Sequence, residues 1–218
     1  DDFSLDDNRY NVVTPQCELL FSEPIYALAF EGPYIRVTKR FGDKMRYNLF
    51  DPISRNFVSD QYFDYIKWLE KIPTAYLVGI YNPNDVLGYG ENHYLYNLFR
   101  NGKLLFEQWY SIIMYELAIK DYVGLISAHS KTNITLNYGN INTGELISDK
   151  PLLFKNKVSK IEKNGKFNFI DGNLNYLLPN WADKVSEFDS NGYVNVIFGN
   201  DTYTFKAEEG KLVQLDNK

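Results

Sequence analysis

The chain has 218 residues, of which 44% are hydrophobic and 23% charged, a composition that is typical of folded globular proteins and argues against intrinsic disorder. Its formal net charge is −5, and Lys and Arg are scattered singly along it, so we expect no basic face and no nucleic-acid partner. Aromatic residues make up 17% of the chain, which favours strands, because aromatic side chains suit half-buried pleated surfaces.

Three further features limit the class of protein. The longest mostly apolar stretch, residues 72–81, is too short to cross a bilayer, so we expect no membrane span. Cys17 is the only cysteine, which excludes an intramolecular disulfide and a zinc site built from cysteines. Four Asp in the first seven residues and a start without Met are typical of a processed end.

In chain order, the main recurring element is a signature of an aromatic residue, Asn and two apolar residues. It occurs at residues 10–13, 47–50, 96–99 and 167–170, with weaker copies at 136–138 and 203–205. In the four good copies an apolar pair begins seven to nine residues after the Asn, as at Leu19-Leu20 and Leu177-Leu178. The Asn positions are 37, 49, 40, 31 and 36 residues apart, and position 204 holds Thr. A period of this size indicates a repeat protein, and we expect each Asn to hydrogen-bond the neighbouring backbone.

Each signature is flanked by signals for further strands. Asn101-Gly102, Thr143-Gly144 and Asp171-Gly172 separate the signature from its apolar pair, and Gly and Asn tolerate the positive φ that tight hairpins need. Apolar arms follow at 34–37, 76–81, 122–126 and 193–198. We therefore predict one repeat domain, 1–218, of about six units of three or four short strands, at approximately 9–37, 45–81, 94–126, 134–162, 165–198 and 201–216.

Two segments leave an alternative open. Residues 60–71 place Tyr62, Tyr65, Ile66 and Leu69 at helical spacing, and residues 107–118 have a similar pattern. Helices in these segments are therefore the alternative to strands.

The units resemble the WG-containing β-repeats of bacteria and their phages. The closest copy runs from Asn164-Gly165-Lys166-Phe167-Asn168-Phe169-Ile170-Asp171-Gly172 through Leu177-Leu178-Pro179-Asn180-Trp181. The Trp-Gly of that family is Tyr-Asn or Phe-Asn here, a variant that we associate with gut bacteria and their phages. The resemblance implies a non-catalytic repeat module, and a location in a phage virion or bacterial cell.

The candidate catalytic residues form no recognisable motif. Cys17, His93 and His129 lie in different units without metal-ligand or nucleophile spacing around them. Asp64 and Asp183 occupy the same place in two repeats, which structural copying explains better than a glycosidase pair. Gly88-Tyr89-Gly90 lacks the third Gly of a phosphate loop, and Asp189-Ser190-Asn191-Gly192 lacks the Glu of a calcium loop. We predict no enzyme activity, cofactor or metal site.

The tryptophans are the candidate ligand contacts. Trp109 and Trp181 fall at repeat positions equivalent to Tyr62, which favours packing between units. Trp68 is outside this pattern, and we predict it as a possible ligand contact, because aromatic residues are enriched at binding hot spots.

The predicted fold is all-β, with tandem antiparallel β-meanders in a curved solenoid-like array, and a six-bladed β-propeller is the alternative. The predicted function is a protein-binding or structural module of a larger assembly, such as a phage particle or a bacterial envelope system. A carbohydrate-binding module and a hydrolase are the alternatives.

Overall fold

The computed structural model describes residues 11–215, apart from 24, 73 and 85–92. Every regular element in these residues is a β-strand, which confirms the all-β prediction, and none of them forms a helix able to span a membrane. In chain order the strands are β1 (Ala27–Glu31), β2 (Tyr34–Phe41), β3 (Lys44–Asp51), β4 (Asn56–Phe57), β5 (Tyr65–Trp68), β6 (Ala75–Tyr81), β7 (Tyr94–Arg100), β8 (Lys103–Leu104), β9 (Ile112–Ile119), β10 (Tyr122–Ala128), β11 (Ile134–Asn140), β12 (Phe154–Lys155), β13 (Val158–Lys163), β14 (Lys166–Asp171), β15 (Lys184–Val185), β16 (Tyr193–Phe198), β17 (Asp201–Glu208) and β18 (Lys211–Gln214).

The strands form small antiparallel sheets in which chain neighbours are also sheet neighbours. The chain divides into two compact units, Asp1–Ser111 and Ile112–Lys218. The first unit contains the sheets β1–β4 and β5–β8, and the second contains β9–β11, β12–β14 and β15–β18. Each sheet joins the arm that ends one predicted repeat to the signature strand that begins the next. The prediction of one domain with six units stays a prediction.

The helical alternative is wrong for both segments. Residues Tyr65–Trp68 pair with Tyr76–Gly79 of β6 as strand β5, and Ile112–Ile119 pair with β10 as strand β9. A helix of this length is only marginally stable by itself, whereas the sheet adds tertiary partners, and the β-branched and aromatic residues there suit a strand.

The turn prediction holds at two of its three sites. Asn101 and Gly102 have φ of 50° and 81°, as a two-residue type I′ hairpin requires, and Gly144 has φ of 81°. At Asp171-Gly172 the residue with positive φ is Leu174, at 60°. The Asp171 carboxylate accepts the N–H groups of Asn173 and Asn175, both at 2.8 Å, so a side-chain-bridged turn replaces the expected glycine turn.

The two apolar residues of a signature pack on opposite sides of their sheet. Leu49 joins a buried cluster with Phe63 and Tyr76 of the next sheet, whereas Phe50 packs with Phe21 and Ile25 on the other side. Adjacent strand residues point to opposite faces, so one dipeptide contributes to two cores. Burial of each such side chain stabilises the fold by about 1.5–3 kcal/mol.

The second unit repeats this division. Phe169 packs with Val194 and Val196 of the following sheet, and Ile170 packs with Ile147 and Leu152 on the opposite side. The signature therefore explains why consecutive sheets within a unit share a core.

Candidate binding surface

The signature Asn side chains hydrogen-bond the backbone, as predicted, and their long-range partners lie at the apolar pair or just after it. Asn48 is 1% exposed; its amide nitrogen donates to Ser59 O at 2.7 Å, and its oxygen accepts Leu49 N–H at 2.7 Å. Asn168 is 2% exposed and does the same with Leu178 O at 3.1 Å and Phe169 N at 2.7 Å. These buried amides have a structural role, because they hydrogen-bond backbone groups that have no partner in the β-ladder.

The same anchor recurs at three other signatures. The amide nitrogens of these residues donate to backbone oxygens nine to thirteen residues ahead: Asn11 to Phe21 O (2.7 Å), Asn97 to Phe106 O (2.8 Å) and Gln108 O (3.0 Å), and Asn137 to Ser148 O (2.9 Å) and Lys150 O (3.4 Å). The segments around Asn11, Asn48, Asn97 and Asn168 thus share one hydrogen-bond arrangement.

A second repeated contact involves Asp64 and Asp183. Asp64 accepts from Arg46 Nε at 3.0 Å and from Tyr81 N–H at 2.8 Å. Asp183 accepts from the Lys166 ammonium and from the backbone N–H of Gly199 at 2.7 Å. The Lys166 bond and then the Gly199 amide hold the pKa of Asp183 below its ordinary value of 3.8. The matching partners indicate structural copying of this Asp.

The sequence missed a third copy of this Asp. The backbone N–H of Asp149 donates to Glu162 O at 2.7 Å, and its carboxylate accepts Asn164 N–H at 2.7 Å, two residues further on. In the same way, the backbone N–H of Asp183 donates to Ile197 O, and its carboxylate accepts the N–H of Gly199, two residues further on. The spacing from the signature differs, which is why the sequence pattern did not reveal it.

Among the described residues, the buried Nδ1 atom of His93 has no hydrogen-bond partner. Cys17 is exposed in a turn, and no group of three or more His, Cys, Asp or Glu side chains in the described part of the chain is arranged to hold a metal ion. The Asp189 carboxylate accepts Asn191 N–H at 2.9 Å and Tyr193 N–H at 2.8 Å, which makes its loop a closed turn, as expected. Residues 88–90 lie outside the described residues.

Trp68, the predicted ligand contact, packs on the turn between β1 and β2. Gly32 has φ of +62°, and a Cβ added to it would come within 2.7 Å of the Trp68 indole. The ring is half-buried against the core cluster that contains Leu49 and Phe63. Its Nε1 is buried and has no hydrogen-bond partner among the residues described. Ligand contact by Trp68 stays a prediction, and packing is the role that these contacts support.

Tyr62, Trp109 and Trp181 occupy equivalent places, as predicted. Each directly precedes the residue that pairs, through the backbone, with the aromatic residue of a signature: Phe63 with Tyr47, Tyr110 with Tyr96, and Ala182 with Phe167. Trp109 lies 6.5 Å from the Phe63 ring, and Trp181 lies 5.8 Å from the Tyr176 ring. Trp181 remains 37% exposed and Tyr176 53% exposed, so this pair presents an aromatic surface on the second unit.

The first unit carries a larger surface that combines aromatic and cationic side chains. On the β2–β3 hairpin, Lys39 lies opposite Arg46 and Phe41 lies opposite Lys44, so all four project from one face. We call this surface, together with two neighbouring tyrosines, the basic aromatic face; it comprises Lys39, Phe41, Lys44, Arg46, Tyr62 and Tyr81.

Cation–ring contacts hold this face together. Lys39 Nζ lies 5.7 Å from the Tyr62 ring centre, Lys44 Nζ lies 4.6 Å from that of Tyr81, and the Arg46 guanidinium lies 5.9 Å from that of Phe41. Phe41 is 45% exposed and Tyr81 is 44% exposed. Such contacts keep large apolar rings at the surface next to charge, a mixture typical of protein interfaces.

The charges of the face differ in how fully they are paired. Arg46 bonds Asp64, which also accepts a backbone N–H and is well shielded. Lys39 pairs with Glu23, whose side chain is largely exposed, and such pairs contribute about 0–1 kcal/mol. No carboxylate among the described residues forms an ion pair with Lys44. Lys44 and, by exchange of its partner, Lys39 are therefore the available cations.

The pKa of one cation of the face, Lys39, is shifted by its neighbours. Burial disfavours the charged form of Lys39, but the Glu23 hydrogen bond and the Tyr62 hydroxyl outweigh it and raise the pKa of Lys39 above its ordinary value. Beside the face, Tyr94 lies 6.4 Å from Tyr81, ring centre to ring centre. Burial and then the Asp64 charge raise the pKa of Tyr94, so its hydroxyl stays protonated at neutral pH.

The expectation of singly scattered cations is therefore wrong for this hairpin. Lys39, Arg40, Lys44 and Arg46 lie within eight residues, around a turn. The signal was available as a cluster of cations in a chain of net charge −5. The sequence did not show the strand register, which places three of these four cations on one face of the hairpin.

No protein-family model matches the chain, and no curated protein matches it. Among solved structures, the chain is similar to the computationally designed Ika8 protein, seen in a crystal structure, with 16% identity and a TM-score of 0.30. The match covers 93% of this chain and 66% of the designed protein, so the chain spans just under two thirds of its length. A likeness at this TM-score carries no argument about fold or function.

Proposed function

We propose that the chain is a non-catalytic binding or structural repeat protein whose partner is another protein. The observation that carries this proposal is the basic aromatic face, where exposed rings of Phe41 and Tyr81 alternate with Lys44 and Arg46. Tyr and Arg are enriched in protein interfaces, and exposed rings held beside charge match the anchor-and-rim composition of such contacts.

The repeat frame supports a role outside catalysis. The buried Asn side chains and the paired carboxylates of Asp64 and Asp183 satisfy backbone groups and neighbouring cations. These side chains therefore have structural contacts. We assign recognition to the exposed surface around them.

The proposed superstructure is a curved, solenoid-like array of WG-type β-repeats, with a six-bladed β-propeller as the alternative. Within each unit, a reciprocal backbone pair links a signature strand to the segment that leads into the next sheet, as at Tyr47–Phe63 and Phe167–Ala182. Repeats that contact their neighbours in this way build extended binding surfaces. A phage particle or a bacterial envelope system is the proposed setting.

The test is affinity capture from the organism or virion in which the protein occurs, followed by mass spectrometry. The full chain is compared with the double variant Phe41→Ala, Lys44→Glu and with the control Lys131→Glu, which lies at the tip of the β10–β11 hairpin. We expect one protein that the wild type and the control capture and the double variant does not. If the three chains capture the same proteins equally, the proposal fails.

Carbohydrate binding is the second candidate, and the Trp181–Tyr176 pair favours it. The two exposed rings lie 5.8 Å apart and are tilted by 57° to each other, so each offers an apolar face of the kind on which a sugar ring stacks. A glycan array should then give hits that Trp181→Ala abolishes. An array without hits removes this candidate.

A further inference from the structure

We propose, building on the protein-binding function above, that the basic aromatic face binds an extended acidic segment of the partner, with carboxylates at alternate positions. The occupant follows from the geometry and the charge of the β2–β3 hairpin, in three steps.

The first step is the placement of the charges. Lys39 pairs with Arg46 across the strands, and like charges directly opposite each other destabilise a sheet. Glu23 pairs with Lys39 and Asp64 pairs with Arg46, and both ion pairs offset this repulsion. The fold therefore holds two cations opposite each other although strand pairing does not require cations there. An anionic partner would stabilise this cation pair.

The second step is the length of the hairpin. Beyond the pair Val37–Asn48, the β2–β3 ladder continues for four further residue pairs. In the equivalent β13–β14 hairpin only two pairs follow Ile161–Asn168. The additional pairs carry Phe41 and Lys44, so the exposed ring and the unpaired cation both belong to the extension and not to the shared frame.

The third step is the spacing. Lys39 and Lys44 are diagonal neighbours on one face, about 7–8 Å apart between backbones. Alternate residues of an extended peptide are about 6.5–7 Å apart on one side. Two carboxylates at positions i and i+2 of an extended segment therefore match the backbone spacing of Lys39 and Lys44, with the exposed Phe41 ring available to an apolar neighbour.

The test measures fluorescence anisotropy of a labelled peptide of five Glu-Thr repeats with the full chain. We expect saturable binding that weakens as the salt concentration rises, because the Debye length falls from about 10 Å at 0.1 M to about 3 Å at 1 M. Lys44→Glu should weaken binding by about tenfold or more. Lys131→Glu makes the same charge change at the tip of another hairpin and should leave the affinity within about twofold.

Several outcomes would overturn the assignment. These are equal binding of a Gln-Thr peptide, equal weakening by Lys44→Glu and Lys131→Glu, or tighter binding of polygalacturonate or of a thymidine oligonucleotide than of the acidic peptide. If the peptide does not bind but affinity capture still depends on Phe41 and Lys44, the protein-binding function stands and the acidic partner is wrong. If capture is also independent of the face, both proposals fail.

Discussion

The β2–β3 hairpin of the first unit and the β13–β14 hairpin of the second have the same base and different tips. Both carry a buried signature Asn, and both place a cation two residues before it, Arg46 or Lys166, against an equivalent Asp. The first ends in a turn at Gly42 after four ladder pairs beyond the Asn, whereas the second turns at Asn164-Gly165 after two.

The base contains the contacts that both hairpins share, and the longer tip contains what the β2–β3 hairpin adds to them. The base satisfies buried backbone groups and connects two cores, so its residues are fixed by packing and hydrogen bonding. Residues 40–45, which form the longer tip, are exposed, so we expect their number to have little effect on the core. Recognition is therefore expected at the tips, and stability at the bases.

The largest expected effect tests whether the two bases are equivalent. Asn48→Ala and Asn168→Ala each leave buried backbone groups without partners, so each should lower the free energy of unfolding by about 2–4 kcal/mol. Chemical denaturation measures both. Asn11→Ala is the control: Asn11 is only half-buried, so its loss should cost less. Costs for the two buried Asn that differ by more than about 2 kcal/mol would break the equivalence.

The second effect compares two glycine turns that flank β2. Gly32→Ala meets both positive φ and the Trp68 indole, so it should destabilise the protein by about 1–3 kcal/mol. Gly42→Ala has a similar φ of +65° and no atom within 4 Å of the added Cβ, so only the backbone strain applies, about 1 kcal/mol. Thermal unfolding of both variants gives the difference. Equal losses would mean that the Trp68 contact contributes nothing.

The third effect converts one tip into the other. Replacing residues 40–45 by Asn-Gly joins Lys39 to Arg46 through the turn that joins Lys163 to Lys166. The free energy of unfolding should change by less than about 1 kcal/mol, because the extension is exposed and type I′ turns favour Asn-Gly. Denaturation and partner capture are measured on the same variant. A large loss of stability would show that the extension belongs to the frame.

The smallest effect is the pH dependence of the Asp183 pair. The Lys166 bond and the Gly199 amide lower the pKa of Asp183 below 3.8 in the folded state, so the pair stabilises the fold above that pH and loses its effect as the pH falls through the folded pKa. Asp183→Asn should therefore be less stable than the wild type at about pH 6, and the difference should shrink towards about pH 2.5. A difference that stays constant over this range contradicts the assigned ion pair.

Much of the frame was predictable from the sequence, because it depends on short patterns of neighbouring residues. The signature strand, its Asn contact and the equivalence of Tyr62, Trp109 and Trp181 follow from a short pattern written several times. The helical alternative for residues 60–71 was not resolvable, because helix and strand periodicities overlap in short apolar runs. Long-range pairing with β6 decides that segment for a strand.

The binding surface was less predictable. The four cations of the β2–β3 hairpin are visible in the sequence, but Tyr62 and Tyr81 join them from strands and segments far along the chain. Trp68 was chosen for its position outside the pattern, and its indole lies on the Gly32 turn, a contact that no spacing indicates.

The sequence alone determined a strand-rich chain and the repeated strand with its hydrogen-bonded Asn, because both depend on short patterns that are local along the backbone. Only the tertiary structure decided the strand register, the length of each hairpin and the gathering of rings around the cations. Those depend on which distant backbone groups satisfy one another, and that choice is made by the packing of whole sheets.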